Sequence, residues 1–448
     1  MALTGIEIFK FLPKTNCGEC GVPTCLAFAM KLAARQVELA LCPYVSEEAK
    51  ATLEEAAAPP IRVVSIGSGD DVFKVGGETV LFRHEKTFVN PPGIAVQITD
   101  DMSDEEVTTR LNNYESLQYE RVGLILKPDL IAIKSANGDA SKMENLVKRA
   151  KSAGVKKFIL VSRKADVLSA ALNQCAEDKP LLYAADRENI DSLGKLAKEK
   201  KCPLAVYGDS VDEVITLTGK LTEMGLKDLV IDSGARSLKQ LFEDQVVIRR
   251  SALNNFRPLG FPTITFPCEM TNDPMKETLI AGTLVAKYAG IIVLSELQGH
   301  ALFPLLVERM NIYTDPQRPM ATTEGIYEIN NPTGDSPLII TSNFSLTYFI
   351  VSGEAESSRV PCWLLIKDTE GLSVLTGWAA GKFVADAIAP FVKKCGIDEK
   401  INHKTLVIPG AAASISGELE EELPGWNIKI GPREAAYLPP YLKSWTAA

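Results

Sequence analysis

Between Ala95 and Leu294 the chain repeats one pattern eight times, a short apolar run followed by a longer amphipathic stretch. The runs are Ala95–Ile98, Leu130–Ile133, Phe158–Val161, Leu181–Ala184, Leu204–Tyr207, Leu229–Ile231, Thr263–Phe266 and Ile291–Leu294. The stretches between them, such as "SDEEVTTRLNNYESLQYER" and "DSVDEVITLTGKLTEMG", carry helix caps and helical spacing. Strands that alternate with helices pair in parallel through right-handed crossovers. Eight such units predict a TIM (β/α)8 barrel. A doubly wound open sheet is the competing arrangement of the same pattern.

A chain of 448 residues exceeds one core, since single cores stop growing near about 250–300 residues. Residues 1–60 read as a short domain and linker, closed by the run "EEAKATLEEAAAPP" and its proline pair. Residues 61–322 open with an expected hairpin, "RVVSIG" and "TVLFRH" joined by "KVGGET", and then enter the barrel. Residues 323–448 alternate strand and helix again and suit an open Rossmann-like sheet of four or five parallel strands, but no G-x-G-x-x-G follows a strand. The net charge is -9, acids and bases are mixed throughout, and no Lys/Arg block favours nucleic acid. No apolar run is long enough to span a membrane, and the N-terminus lacks the apolar region of a signal peptide, so a cytoplasmic protein is expected.

The nine cysteines divide unevenly. Cys17, Cys20, Cys25 and Cys42 crowd into the first domain, whereas Cys175, Cys202, Cys268, Cys362 and Cys395 stand singly and read as small buried apolar residues. Four thiolates suit zinc or a [4Fe–4S] cluster. Three cysteines in one loop, with the fourth arriving after a helix and before Pro43, favour the cluster over zinc. Gly18 and Gly21 allow backbone N–H groups to turn toward cluster sulfurs. The expected helix "LAFAMKLAARQVEL" offers Leu26, Phe28, Ala29, Met30 and Leu32 to keep one side dry.

The barrel is poor in acid–base candidates. The chain has only His84, His300 and His403. Asp232, Ser233 and Glu296 fall at strand ends, where barrel enzymes place catalytic groups, but structural roles explain them equally well. In the last domain, "TSNFS", "TEGLSVLTGWAAG", "PGAAASISG" and "GPREAA" follow strands, where open α/β sheets bind ligands.

The N-terminal stretch "LTGIEIFKFLPKTNCGECGVPTCLAFAMKLA…CPYVSEEA", with the order of the three regions, resembles the large (gamma) subunit family of the corrinoid iron–sulfur protein of the reductive acetyl-CoA pathway. The resemblance extends over the whole chain. It implies a cluster domain, a barrel and a Rossmann-like corrinoid-binding domain. It implies a methyl carrier whose cobalt accepts a methyl group from methyl-tetrahydrofolate through a methyltransferase and passes it to acetyl-CoA synthase/CO dehydrogenase. It implies further that the cluster reduces cob(II)amide to cob(I)amide and that the chain pairs with a small barrel subunit. The cluster ligands carried over are Cys17, Cys20, Cys25 and Cys42. The corrinoid contacts carried over are Thr341 and Thr347; Glu370, Gly371, Leu372 and Ser373; Val374 and Thr376; Gly410, Ala411, Ala412 and Ala413; and Gly431, Pro432 and Arg433. Ser373, Val374 and Thr376 are expected near cobalt, and no side chain is expected to act as a catalyst itself. No D-x-H-x-x-G motif is present, which agrees with a base-off corrinoid lacking a protein ligand. Two other readings follow from the residues: a barrel methyltransferase with an attached electron-transfer domain, and a zinc-bearing scaffold.

Overall fold

The structure is a computed structural model that describes residues 4–33, 36–37, 39–46, 49–50, 53, 58–69, 71–121 and 123–445. The acidic-alanine run before Pro59 lies largely outside the described residues. The chain forms two compact units, Met1–Gln118 with Lys127–Tyr313, and Tyr119–Leu126 with Thr314–Ala448.

The first unit begins with helices α1 (Gly5–Phe11) and α2 (Cys25–Ala33). Thr4 caps α1 through a reciprocal pair with Glu7, which satisfies N–H groups that the first helical turn leaves free. Strands β1 (Val64–Ile66) and β2 (Phe73–Val75) form an antiparallel hairpin. The expected second strand, "TVLFRH", is not one. Gly67 and Gly69, both with positive φ, lie in the connection from β1 to β2. Gly76 and Gly77, also left-handed, then end β2 where the sequence reading put the hairpin loop.

Eight parallel strands follow: β3 (Gly93–Thr99), β6 (Leu130–Lys134), β7 (Phe158–Val161), β8 (Leu181–Ala185), β9 (Leu204–Tyr207), β10 (Leu229–Asp232), β11 (Ile264–Thr265) and β12 (Ile291–Leu294). Their order, β10-β9-β8-β7-β6-β3-β12-β11, closes through a bridge between Ile231 and Thr263. Each strand is followed by a helix: α3 (Asp104–Ser116), α4 (Ala140–Ser152), α5 (Ala165–Cys175), α6 (Ile190–Lys200), α7 (Val211–Glu223), α8 (Leu238–Leu253), α9 (Pro274–Ala286) and α10 (Gly299–Ile312). This is the (β/α)8 barrel that the eight runs predict, and every run falls on a strand or its end. Alternate residues point inward because the side-chain period of a strand is two. Ala95, Leu130, Ile159, Leu181, Ala205, Val230 and Ile291 meet in one buried cluster with Val64, Ile66 and Val75 of the hairpin, so the hairpin packs into the barrel core.

The second unit holds a five-stranded sheet in the order β13-β15-β14-β16-β17. Its strands are β13 (Gly325–Ile329), β14 (Leu338–Ser342), β15 (Cys362–Lys367), β16 (Thr405–Ile408) and β17 (Asn427–Ile430). Four run parallel, as the expectation of four or five parallel strands has it, and β13 adds an antiparallel edge strand beside β15. The helices are α11 (Ser345–Ser357), α12 (Val374–Ala379), α13 (Ala385–Lys394), α14 (Ser416–Glu422) and α15 (Leu438–Lys443). Both sheet faces are covered. Leu338, Ile340, Leu365, Leu406 and Ile408 pack with α13 and α14, and Ile339, Leu364, Ile366 and Val407 pack with α15. A small antiparallel hairpin, β4 (Tyr119–Arg121) with β5 (Leu124–Leu126), also belongs to this unit although it falls between α3 and β6 in the chain. Among the described residues no helix is long and apolar enough to cross a membrane.

Candidate functional site

The cysteine loop is built from left-handed residues. Lys14, Asn16, Gly18 and Gly21 all have positive φ. Left-handed residues interleaved with ordinary ones curl successive N–H groups to one side, a concavity suited to anionic groups, iron–sulfur clusters included. Cys25 opens α2 and is buried, as are Phe28 and Ala29 one turn on. Cys20 and Cys42 pack against the same apolar cluster, while Cys17 is exposed. Asn16 Oδ1 accepts the Cys25 N–H at 2.8 Å. Tyr44 donates to Glu19 at 2.8 Å, and this hydrogen bond and the Glu19 charge raise its pKa. The four thiols are free, and four thiols are the donor set that an iron–sulfur cluster takes. Among the described residues no three thiols, imidazoles or carboxylates converge on the position of a single ion. The helix shields the site with fewer residues than expected. Leu26 and Met30 are exposed, because the buried stripe runs through Cys25, Phe28, Ala29 and Leu32 at helical spacing.

The second unit has a cleft of about 300 Å³ at the carboxyl ends of its strands. Its position follows from topology. From β14 the chain goes to β15 on one side and then to β16 on the other, and open α/β sheets bind ligands at such a reversal. The pairing of β14 with β16 rests on Ile339 and Val407, and Pro409, which has no N–H, follows β16. Ile339, Ile340, Val407 and Ile408 form an apolar floor, with Ile350, Leu375 and Leu438 around it. Thr341, Thr347 and Ser373 add hydroxyls, Arg433 a positive charge and Glu434 a negative one.

Of the corrinoid contacts named from sequence, Thr341, Thr347, Ser373, Val374, Ala411, Gly431, Pro432 and Arg433 line this cleft. Glu370, Gly371, Leu372, Thr376, Gly410, Ala412 and Ala413 do not. Glu370 is exposed and paired with Lys382 at 2.6 Å. Thr376 is exposed, with its hydroxyl 3.1 Å from that of Ser373. Ala412 is buried in the core beneath the loop. Gly410 knits two loops together, donating to Pro432 O at 3.0 Å. The floor residues escaped the sequence reading, which looked in loops; the signal was the strand ends flanking the reversal.

His403 is buried and does not line the cleft. Its Nε2 lies 2.9 Å from Ser336 O, and its Nδ1 accepts the Thr405 N–H at 3.2 Å. No histidine lines the cleft among the described residues. At the barrel mouth Asp232 is buried, accepts from Tyr183 at 2.7 Å and pairs with Arg236 at 3.0 Å. Arg236 also pairs with Glu269, which pairs with Lys134. Burial and the neighbouring Asp232 charge push the Tyr183 phenol well above its usual range. These groups engage one another and read as a structural network. Glu296 faces Gln298, and Ser233 is buried.

These features define a multidomain α/β protein with a cysteine-rich N-terminal region, a barrel and a separate open sheet that carries a cleft. The family model of the CO dehydrogenase/acetyl-CoA synthase delta subunit matches residues 63–442, and an Fe-S cluster model matches residues 12–44. The chain is 44% identical to the corrinoid/iron-sulfur protein large subunit of Moorella thermoacetica over 97% of each chain. It is 36% identical to the acetyl-CoA decarbonylase/synthase complex subunit gamma of Methanopyrus kandleri, covering 98% of this chain and 97% of the relative. It is also 36% identical to the same subunit of Methanosarcina acetivorans, over 98% of both. The chain belongs to this family of corrinoid/iron-sulfur large subunits and acetyl-CoA decarbonylase/synthase gamma subunits.

Proposed function

We propose that this chain is the methyl carrier of a cytoplasmic acetyl-CoA pathway, with a corrinoid in the open-sheet cleft and a [4Fe–4S] cluster on Cys17, Cys20, Cys25 and Cys42. The observation that carries the reading is the cleft: it lies at the strand-order reversal and is lined by eight of the residues named for corrinoid contact. A bound corrinoid supplies a cobalt that takes up and yields a methyl group, and the cluster supplies single electrons. The protein's own part is orientation and exclusion. The isoleucine and valine floor keeps water from one face of a flat ligand. Thr341, Thr347, Ser373 and Arg433 offer hydrogen bonds to its amide and phosphate periphery. We take the corrinoid to be base-off, as the family resemblance implies. The names of the relatives support partners in an acetyl-CoA synthase assembly. We take these partners to be a small barrel subunit, a methyl-tetrahydrofolate methyltransferase and acetyl-CoA synthase/CO dehydrogenase. The paired groups of the barrel mouth favour a scaffold over a barrel methyltransferase.

The test is iron and cobalt per chain, on protein purified without oxygen and with its small partner. About four irons and one cobalt are expected, one cubane and one corrinoid. Labelled methyl should then pass from methyl-tetrahydrofolate to the protein when the methyltransferase is added. Zinc without iron would overturn the cluster. Failure to retain cobalt after adding cobamide would overturn the cleft assignment.

A further inference from the structure

We propose that Asn343 is a positioning residue that fixes one wall of the cleft, an inference that rests on the corrinoid reading above. Asn343 follows β14 and is 4% exposed. Its Oδ1 accepts the N–H groups of Thr369 and Gly371, each at 3.0 Å, and the Thr369 hydroxyl lies 2.9 Å away. Its Nδ2 donates to Asp368 Oδ1 at 2.8 Å, and that oxygen also accepts the Glu370 N–H at 2.8 Å. The Asn343 backbone is held as well. Its N–H donates to Lys367 O at 2.9 Å, and its carbonyl accepts from Thr322 at 2.8 Å.

The loop so held needs holding. Glu370 and Gly371 are both left-handed, with φ of 58° and 76°. A non-glycine residue in that region persists only where its surroundings impose it. The Thr369 hydroxyl also lies 2.7 Å from Leu372 O, which ties the loop's far side. Directly after it come Ser373 and Val374, which line the cleft. One carboxamide directly after β14 therefore sets where the wall from β15 stands. The two strands flank each other in register, Thr341 opposite Ile366 and Ser342 opposite Lys367, so the distance to be spanned is fixed by the sheet.

The test uses the full-length chain and cobinamide, a corrinoid without the nucleotide tail. Affinity is read by absorbance titration, and the pocket's grip by the circular dichroism of the bound corrin. Asn343→Ala should weaken cobinamide binding by about tenfold or more and change the dichroism, with iron content unchanged. The exchange N343D/D368N keeps the acceptor for the Thr369 and Gly371 N–H groups and a side-chain pair with donor and acceptor swapped, but turns a donor toward the Glu370 N–H, so it should recover only part of the affinity. A purely structural asparagine would lower the melting temperature and leave affinity and dichroism as in the parent. That result would overturn the proposal. If Asn343→Ala fails to fold, Thr369→Val, which removes only the hydroxyl, carries the same comparison. A parent chain that binds no cobinamide would instead overturn the corrinoid reading itself.

Discussion

Asn16 and Cys25 hold each other in both directions: Asn16 Oδ1 accepts the Cys25 N–H at 2.8 Å, and the Asn16 N–H points at Cys25 Sγ at 3.4 Å. The left-handed backbone at Asn16 makes this geometry available. An N–H donated to a ligand sulfur favours the more negative, reduced form of a cluster. Asn16→Ala keeps this backbone N–H but removes the Oδ1 clamp and disfavours the left-handed turn that aims it at Sγ, so on the proposed cluster it should lower iron per chain and move the midpoint potential in the negative direction, followed by EPR during a redox titration. Parent-like iron content and potential would show that the clamp does not tune the site.

Gly410 makes a second tight contact. A Cβ there would stand 2.6 Å from Gly431 O and 2.8 Å from Arg433 N, both backbone atoms. Gly410→Ala must part the two loops, at a cost of about 1–3 kcal/mol. Thermal unfolding should report the loss, and cobinamide titration should show weaker binding. Gly417→Ala, where nothing lies within 4 Å of the added carbon, is the control and should unfold no earlier than the parent.

Glu78 and Arg249 form a buried pair at 3.6 Å, with Arg249 stacked 4.5 Å from the Tyr288 ring. Removing either partner leaves a buried charge alone, so Glu78→Gln and Arg249→Met should each cost about 3–5 kcal/mol, and the double variant less than either. Chemical denaturation of the four proteins measures the cycle. Burial raises the Glu78 pKa above its ordinary 4.5, although Arg249 opposes the shift. A carboxyl raised on folding contributes stability below its ordinary value and loses it as pH climbs through the folded value. The parent should accordingly lose stability relative to E78Q/R249M as pH rises above 4.5. A difference that is flat with pH would argue against a titrating Glu78.

The cysteines should separate by reactivity. Burial pushes the thiols of Cys175, Cys268 and Cys362 up to about 12 and that of Cys202 to about 11. Only the thiolate reacts, so these four should resist iodoacetamide at pH 8 in the folded, cluster-free chain. Exposed Cys17 should be modified first. Mass spectrometry of the labelled peptides decides the order, and early labelling of Cys268 or Cys362 would contradict the burial.

The barrel was legible because its strands are short and almost wholly buried, so each run such as Phe158–Val161 stands out from the amphipathic stretches beside it. The N-terminal cysteines were legible as chemistry, since spacing in a loop needs no tertiary contact to be seen. The hairpin was misplaced where local propensity and backbone disagreed: "TVLFRH" is apolar enough for a strand, but Gly76 and Gly77 end the pairing before it. The cleft floor and Asn343 were not legible. Ile339 and Val407 read as ordinary core, and nothing in "TSNFS" announces that one carboxamide there will anchor a loop some 26 residues on.

The hairpin Tyr119–Leu126 interrupts the barrel's sequence yet folds with the second unit, where Arg121 lies 4.8 Å from the ring of Phe349. The chain thus passes between the units more than once. A protease that cuts near Thr314 would sever one strand of a double tether, and the C-terminal piece would stay attached by its grip on that hairpin. A gene fragment starting at Thr314 would lack the hairpin altogether and leave Phe349 without its arginine. The open-sheet unit is therefore not a cassette that recombination could move in one step: it can be inherited intact only together with the barrel that carries part of it.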